Sequence, residues 1–348
     1  MACELLLHIE AETVKRSSFL LIEEPEAHVH AQRQLKLIQS LEEGAETHRQ
    51  QIILTTHSPL LASVVKLKNI VLLRHGNAFP MGDEYTMLEE SDYKYLERYL
   101  DATKANLFFA RSVVIVEGPG EALLLPTLAK LMRRSFTNFG TSLVDVRGVG
   151  LRRYARIFQR ANSGILLGIK VACITDRDIM PDCAPAICLD EKYSDSANWP
   201  KNRRWSVESD FSPEQLSEHL KKLTARADGQ DVKTFVSGHW TLEYDLAYSG
   251  LPSAAMKQPL VAAIVKAHFE KDWETRQAEI IAELDQFQDD KTRASHFYSF
   301  FTHYGVSKAE FAQVLASELE IRFAEKPDDL RTALPKYLVD AIEYVTGE

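Results

Sequence analysis

The order of the local signals predicts an α/β protein. It should be built on a central, mostly parallel sheet flanked by helices, with a partial α/β segment before it and a helical region after it. Three observations carry this expectation. Short apolar runs recur up to Thr175 and alternate with runs of helical length, the pattern of strands joined by crossover helices. Acidic residues stand at the ends of those strands, the edge where open α/β sheets bind ligands. From Ser253 onward the pattern is mostly helical.

Taken in order, residues 2–16 read as an amphipathic helix and SFLLI as a strand ending on paired acids and Pro25. AQRQLKLIQSLEEGA reads as a helix closed by Gly44 at a C-cap position. QIILT is a second strand, broken by Thr56-His57-Ser58-Pro59 before a short helix, and NIVLLRHGNAF is a further strand and turn. Residues 90–110 form a polar helical connector. A second strand–helix–strand series follows at 112–117, 121–134, 142–146, 150–161 and 170–175. DCAPAICLDEKYSDSANWPKNRR is loop-like, and WSVESD and VKTFVSGHWTLEYDL contain strand-like segments. The natural divisions are 1–80, 81–110, 111–252 and 253–348.

At 348 residues the chain has room for about two or three domains. With 45% hydrophobic residues it can bury real cores. The longest apolar runs, Phe19 to Ile22 and Gly164 to Thr175, fall short of the roughly 18 residues a membrane span requires, so no membrane association is expected. MACELLLHIEAETVKR lacks a basic n-region and a small-residue cleavage site. Cys3, Cys173, Cys183 and Cys188 are too few and too scattered for a disulfide framework, which points to a reducing, cytoplasmic setting. The spacing of Cys183 and Cys188 does not suit zinc.

A net charge of −9 argues against a protein that grips nucleic acid over its whole surface. From Lys130 to Arg160, however, eight Lys and Arg face a single acid, Asp145, a local balance of +7. Lys201 and RRWSVE add a second small basic cluster. An acidic ion site beside basic phosphate contacts is the charge layout of a metal-dependent nuclease, although charge alone equally fits two solvated helix faces.

SFLLIEEPEAHVH followed by IILTTHSP is the first informative pair. A strand ending in two acids would place Glu23 near a nucleotide-bound Mg²⁺ and Glu24 near an attacking water. His57, at the end of the neighbouring strand, could sense the γ-phosphate. The pair resembles the acidic-strand and switch-histidine motifs of ATP-binding-cassette ATPases, in the branch shared with recombination and chromosome-maintenance proteins. No G-x-x-x-x-G-K-[ST] phosphate loop accompanies it, and no Ser-Gly-rich signature. Residues 1–80 therefore read as the C-terminal part of an ATPase domain whose phosphate loop lies on a missing N-terminal part, with no ATP hydrolysis expected from this chain.

VVIVEGPGEALLL and GIKVACITDRDIMPD form the second pair. Glu117 ends one strand and Glu121 opens a helix four residues later. Asp176 and Asp178 end another strand, with Asp182 close behind. A D-x-D in extended backbone points both side chains to the same side. Four or five carboxylates at one sheet edge repel unless cations neutralise them, and Mg²⁺ or Mn²⁺ suits oxygen ligands.

E-G-x-x-E followed by T-D-x-D resembles the topoisomerase–primase (Toprim) domain. The alternative is a set of acids satisfied by nearby arginines such as Arg177. An ATPase segment leading directly into a Toprim domain resembles the OLD (overcoming lysogenization defect) family of ATP-driven nucleases. TLEYDLA resembles that family's third acidic motif, implying Glu243, with or without Asp245, in the metal shell. VSKAEFAQVLA resembles its lysine-bearing helix and implies a role for Lys308, and LPKYLVDAIEYV resembles its C-terminus.

The resemblance implies a Toprim domain over 111–252 after a connector at 81–110. The region 253–348 becomes a helical insertion or extension ending in the last Toprim elements. It implies a metal-dependent DNA endonuclease that nicks or cleaves phosphodiesters with two divalent ions about 4 Å apart. Mg²⁺ or Mn²⁺ would support it, and Ca²⁺ would act as an inhibitory or supporting substitute. Glu117, Asp176, Asp178 and Lys308 would be catalytic, with Glu117, Glu121, Asp176, Asp178, Asp182 and Glu243 as metal ligands. Arg147, Arg152, Arg153 and Arg156 are candidate phosphate contacts, whereas Tyr154 and Phe158 belong to the core. ATP, an ATPase-mediated homodimer, a helicase-like or other defence partner and phage defence belong to the full-length protein. A strand-passage or priming enzyme fits less well, because neither a tyrosine nucleophile on a separate domain nor a zinc ribbon is evident. A non-catalytic Toprim/ATPase scaffold that binds DNA or a partner protein is the remaining alternative.

Overall fold

The computed structural model describes residues 19–148, 150–269 and 271–347. The amphipathic helix expected over 2–16 lies outside them. β1 (Phe19–Glu23) and β2 (Gln51–Thr55) pair in parallel, with Glu23 opposite Thr55, and are joined by α1 (Ala31–His48). Ile38 and Leu41 of α1 pack on Leu61 in α2 (Pro59–Val64), forming a small separate core. Ser58 caps α2 by accepting from Leu61 N at 3.4 Å. Gly44 does not end α1. The helix runs on for another turn, and Arg49 takes the left-handed cap at φ 52°. The C-cap position is thus met by a residue that tolerates the strain because its N–H bonds back to Ala45 O.

β3 (Val71–Arg74) and β4 (Asn77–Pro80) form an antiparallel hairpin. Its two turn residues, His75 and Gly76, both have positive φ, as a tight turn matched to strand twist requires. α3 (Glu90–Tyr99) begins with a capping box between Glu89 and Asp92.

The main sheet follows. Its strands are β5 (Ser112–Val116), β6 (Thr141–Asp145), β7 (Lys170–Thr175) and, after the short pair β8 (Ile179–Met180) and β9 (Ser206–Val207), β10 (Val232–Val236). They are all parallel in the order β10-β7-β5-β6. Between them run α4 (Pro119–Leu131), α5 (Phe136–Phe139), α6 (Leu151–Arg156), α7 (Ala184–Cys188) and α8 (Pro213–Ala225). Every residue of β5 is buried, which is why its sequence is continuously apolar instead of alternating.

Alternate residues of the central strands face two different cores. Val113, Ile115, Val171 and Cys173 pack with Tyr93, Leu107 and Tyr154 on one side. Val114, Val116, Ala172 and Ile174 pack on the other with α4 and the C-terminal helices. Those helices are α9 (Leu242–Gly250), α10 (Ala254–His268), α11 (Trp273–Leu284), α12 (Asp290–His303), α13 (Lys308–Phe323), α14 (Pro327–Ala333) and α15 (Lys336–Thr346). α13 lies against α4 and α10, and α15 against β7, β10 and β5. Within the VKTFVSGHWTLEYDL stretch, expected to contain strand-like segments, VKTFV is the strand β10 and TLEYDL begins α9: Thr241 caps it and two acids occupy its first turn. The 182–204 stretch, expected to be loop, contains α7 and two short 3-10 turns. Among the described residues no helix is long and apolar enough to cross a membrane.

Gly250 is where α9 must pass close to α10. A Cβ there would stand 2.6 Å from Met256 Cγ and 2.7 Å from Leu260 Cδ1, both fully buried residues. Gly250→Ala should therefore lower unfolding free energy by about 1–3 kcal/mol, read as a fall in the urea midpoint at unchanged m-value. An unchanged midpoint would show that these helices can separate at no cost.

Candidate functional site

β5 and β7 are direct neighbours, with Ile115 opposite Cys173. The residues just past their ends, Glu117 and Asp176, therefore emerge side by side at the C-terminal edge. Thr175 Oγ1 donates to Glu117 Oε2 at 2.9 Å and fixes that carboxylate. Glu121 sits in the first turn of α4, where the helix N-terminus favours a negative charge. Its Oε2 lies 3.2 Å from where Gly118 would carry a Cβ.

Asp176 Oδ1 accepts from Leu242 N at 3.1 Å, tying it to the start of α9. The next residue of α9, Glu243, is 3% exposed and brings a further carboxylate. Lys308 Nζ, at the start of α13, donates to Glu243 Oε2 at 2.7 Å, and Thr241 Oγ1 donates to the same oxygen at 3.1 Å. Glu243 also lies over Gly120 of α4, its Oε1 3.6 Å from a Cβ placed there. Glu117, Glu121, Asp176, Glu243 and Lys308 thus come from five separate segments.

The electrostatics show that these groups feel one another. Burial drives the Asp176 carboxyl well above the ordinary range, and Glu121, Glu243 and Asp178 add to this while Lys308 opposes it. Burial likewise pushes Glu121 up to about 7, with Glu243 and Glu117 repelling its charge. Glu117 is raised by burial, tempered by the Thr175 hydroxyl and reinforced by Asp178. Burial works against the charge on Lys308, but Glu243, Tyr298 and Asp176 outweigh it and hold the ammonium protonated. Tyr337 places a buried hydroxyl, without a hydrogen-bond partner among the described residues, within electrostatic reach of Asp245, Asp176, Glu121 and Glu243.

Several expectations are modified. The D-x-D does not stay extended: Asp178 is left-handed at φ 58°, because its N–H and that of Arg177 both turn toward Trp240 O. Asp178 is exposed but remains electrostatically coupled to Glu117 and Asp176. Asp182 stands apart. It is exposed, and its Oδ1 accepts from Ser209 N at 2.9 Å.

Asp245 is 2% exposed. It does not join Glu243, because it accepts from the backbone N–H groups of Gly238, His239 and Trp240. That clasp shapes the turn whose Trp240 carbonyl positions Arg177 and Asp178. Arg177, 6% exposed, donates to Gly238 O at 2.9 Å and faces Glu208 at 3.6 Å. The arginine neighbouring the acids thus braces the loops behind them and does not satisfy the carboxylates. Thr175 is not assigned from the sequence, whereas Asp245 is placed there with Glu243 in the metal shell and Arg177 is offered as a partner for the acids. A threonine directly before the T-D-x-D acids and a capping threonine before L-E-Y-D were the available signals.

Of the four arginines expected on phosphate, Arg156 is bonded to Glu89 at 2.7 Å and to the fully buried Asp92 at 3.0 Å. Arg153 pairs with Asp92 at 3.3 Å and lies 4.2 Å over the Tyr95 ring. Burying Asp92 required partners, and these two supply them. They anchor α6 to α3 through Asp92. Arg147 and Arg152 are exposed. Tyr154 and Phe158 are 1% and 2% exposed within the core.

In the N-terminal segment, Glu24 Oε1 stands 3.4 Å from His57 Nε2, and Glu23 ends β1 beside Thr55. The side chain that fastens the two motifs is Glu26, whose Oε1 accepts from Thr56 Oγ1 at 2.7 Å and His57 N at 2.8 Å.

As they stand, no three His, Cys, Asp or Glu side chains among the described residues are close enough together to hold a metal ion. The acids are instead turned to separate partners: Thr175 for Glu117, Leu242 N for Asp176, Lys308 for Glu243. Their donor chemistry still suits a hard divalent cation, because burial without one leaves several carboxylates repelling one another.

The raised carboxyls predict a pH dependence. An acid held above its ordinary value binds its proton more tightly in the folded state, so stability is greatest at low pH and falls as pH rises. For Glu121 the loss runs from about pH 4.5 to about 7 and amounts to something on the order of 3 kcal/mol. Urea melts in EDTA should show lower stability at pH 8 than at pH 5, and Glu121→Gln should flatten that slope. An unaltered slope in the variant would exclude Glu121 as its source.

Residues 108–178 match the family model "Overcoming lysogenization defect protein-like, TOPRIM domain", and residues 3–62 match an AAA ATPase domain. A curated relative, "Endonuclease GajA" of Bacillus cereus (strain VD045), is 27% identical over 160 residues, 46% of this chain and 26% of that protein. The match thus spans about a quarter of the relative's length. Two solved structures are similar. The C-terminal region of the Burkholderia pseudomallei OLD protein is 20% identical, with 68% of this chain and 98% of that one covered at a TM-score of 0.40. The C-terminal region of the Xanthomonas campestris pv. campestris OLD protein is 19% identical, with 69% and 94% covered at 0.41. An ATPase-type segment leads, in this chain, into a Toprim domain of the kind found in overcoming lysogenization defect proteins.

Proposed function

We propose that this chain is a metal-dependent DNA endonuclease acting at its Toprim edge. The observation that carries the reading is the convergence of Glu117, Glu121, Asp176 and Glu243 on one half-buried edge, with Asp178 in electrostatic reach and Lys308 among them. Two divalent ions, Mg²⁺ or Mn²⁺, held by these five acids would supply an activated water and stabilise the leaving oxygen. The chain's own groups do the remaining work. Thr175 and Leu242 N orient Glu117 and Asp176. Lys308, already protonated, offsets the negative charge of Glu243 and is placed to offset that of a phosphate entering beside it. Asp182 is not needed in this set.

The reading assigns 111–252 to the Toprim domain and 253–348 to a helical extension. The shared core of sheet and C-terminal helices supports treating the last two as one nuclease unit. Residues 1–80 are assigned to the ATPase part and 81–110 to a connector. Glu23, Glu24 and His57 are assigned to an ATP site that operates in a longer protein. An ATPase-mediated homodimer, a defence role with a helicase-like partner, and a cytoplasmic location rest on the family resemblance and cysteine usage alone.

Supercoiled plasmid incubated with Mg²⁺, Mn²⁺, Ca²⁺ or EDTA should be nicked or linearised only with a supporting metal. Asp176→Ala should abolish cleavage and leave DNA binding intact, and Lys308→Ala should slow it by roughly 10²–10³-fold. Metal binding and DNA binding without cleavage, in every metal and in a correctly folded chain, would favour the scaffold reading instead.

A further inference from the structure

Beside Glu117 lies a second feature that the acidic cluster does not use. A pocket of about 370 Å³ opens between the end of β6, α6 and the end of α8, with Glu117 and Thr175 at one side and Gly150, Arg152, Arg153 and Arg226 around it. That volume is at the small end of ligand pockets. Gly150 packs tightly at its wall: a Cβ there would press within 3.1 Å of the Tyr95 hydroxyl and 3.2 Å of the Tyr154 ring.

The three arginines are not equivalent. Arg153 is neutralised by Asp92 and lies over Tyr95. Tyr95 is in turn stacked on Tyr99 at 4.5 Å, so its ring is already engaged by two partners and serves as wall. Arg152 and Arg226 are exposed and make no side-chain hydrogen bond or ion pair among the described residues. Arg226 acts electrostatically on Glu117. Two uncompensated guanidiniums thus stand beside a carboxylate of the acidic cluster, with Leu151 and Leu223 supplying apolar wall. This arrangement suits an anion joined to a compact, partly apolar body.

We propose that the pocket is a subsite for one nucleotide of the DNA strand next to the scissile phosphate, with Arg226 and Arg152 pairing to its phosphate. This rests on the nuclease reading. It explains why a chain of net charge −9 can engage DNA: cationic contact is confined to the rim of the acidic edge. It also adds Arg226, which comes from a different element, to the basic stretch between Lys130 and Arg160.

The test is the affinity of a short fluorescein-labelled single-stranded oligonucleotide, measured by anisotropy in EDTA across a salt series. Arg226→Ala and Arg152→Ala should each weaken binding roughly tenfold and lower the salt slope by about 0.7. Arg226→Lys should restore part of both, and Asp176→Ala should bind like the parent. In cleavage assays Arg226→Ala should raise KM while kcat stays within about threefold. Both arginines are exposed, so the variants should fold, which circular dichroism checks. Parent-like affinity and slope in both alanine variants would overturn the subsite. Thymidine monophosphate that competes as strongly as the oligonucleotide, and only when Arg226 is present, would make the pocket a free-nucleotide site and overturn the strand assignment. Arginine-dependent oligonucleotide binding in a chain that never cleaves would keep the subsite and sink the nuclease reading.

Discussion

Mutual repulsion among buried and half-buried carboxylates is the constraint on which the rest of this structure depends. Glu117, Glu121, Asp176 and Glu243 are drawn to one edge by four different segments, and burial raises three of them above their ordinary ionisation range. Folding would not retain such a cluster for stability, since each desolvated charge is costly without a partner. Among the described residues Lys308 is the one cation bonded to it, and a single ammonium cannot balance the set. The site is electrostatically incomplete in a way that suits hard divalent cations.

Much of the surrounding architecture keeps those acids in place. The neighbouring positions of β5 and β7 set Glu117 against Thr175. Asp245 gathers three successive backbone N–H groups of the 238–240 turn, and that turn in turn receives Arg177 and Asp178. Arg177 is buried with its charge turned to Glu208, away from the acids. The residues flanking the acidic motifs are therefore structural supports. Asp245 and Arg177 position backbone of the 238–240 turn, and the motif acids are left with exchangeable partners.

Charge is distributed with the same economy on the other side of the sheet. The basic stretch that compensates an otherwise acidic protein is divided by a single buried aspartate. Asp92 takes Arg153 and Arg156 into the contact between α3 and α6, while Arg147 and Arg152 stay exposed. Among guanidiniums of one sequence run, the presence of a buried acid on a neighbouring helix decides which is scaffold and which is available.

The sequence by itself determined the alternation of strands and helices, the parallel sheet, and the motif acids Glu117, Glu121, Asp176 and Asp178. Each rests on local pattern: apolar runs that only a doubly covered strand needs, and acids placed where such strands end. It also pointed to Glu243 and Lys308, but only through resemblance, because residues separated by 65 positions leave no periodic trace of meeting. Tertiary structure alone decided that β7 lies directly beside β5, that TLEYDL is a capped helix, and that Asp178 turns left-handed. It also decided that Asp182 and Asp245 are spent on backbone groups, and that Gly44 lies within a helix. In each case the deciding partner is distant in sequence or belongs to the backbone of another loop. Composition and spacing do not record such contacts.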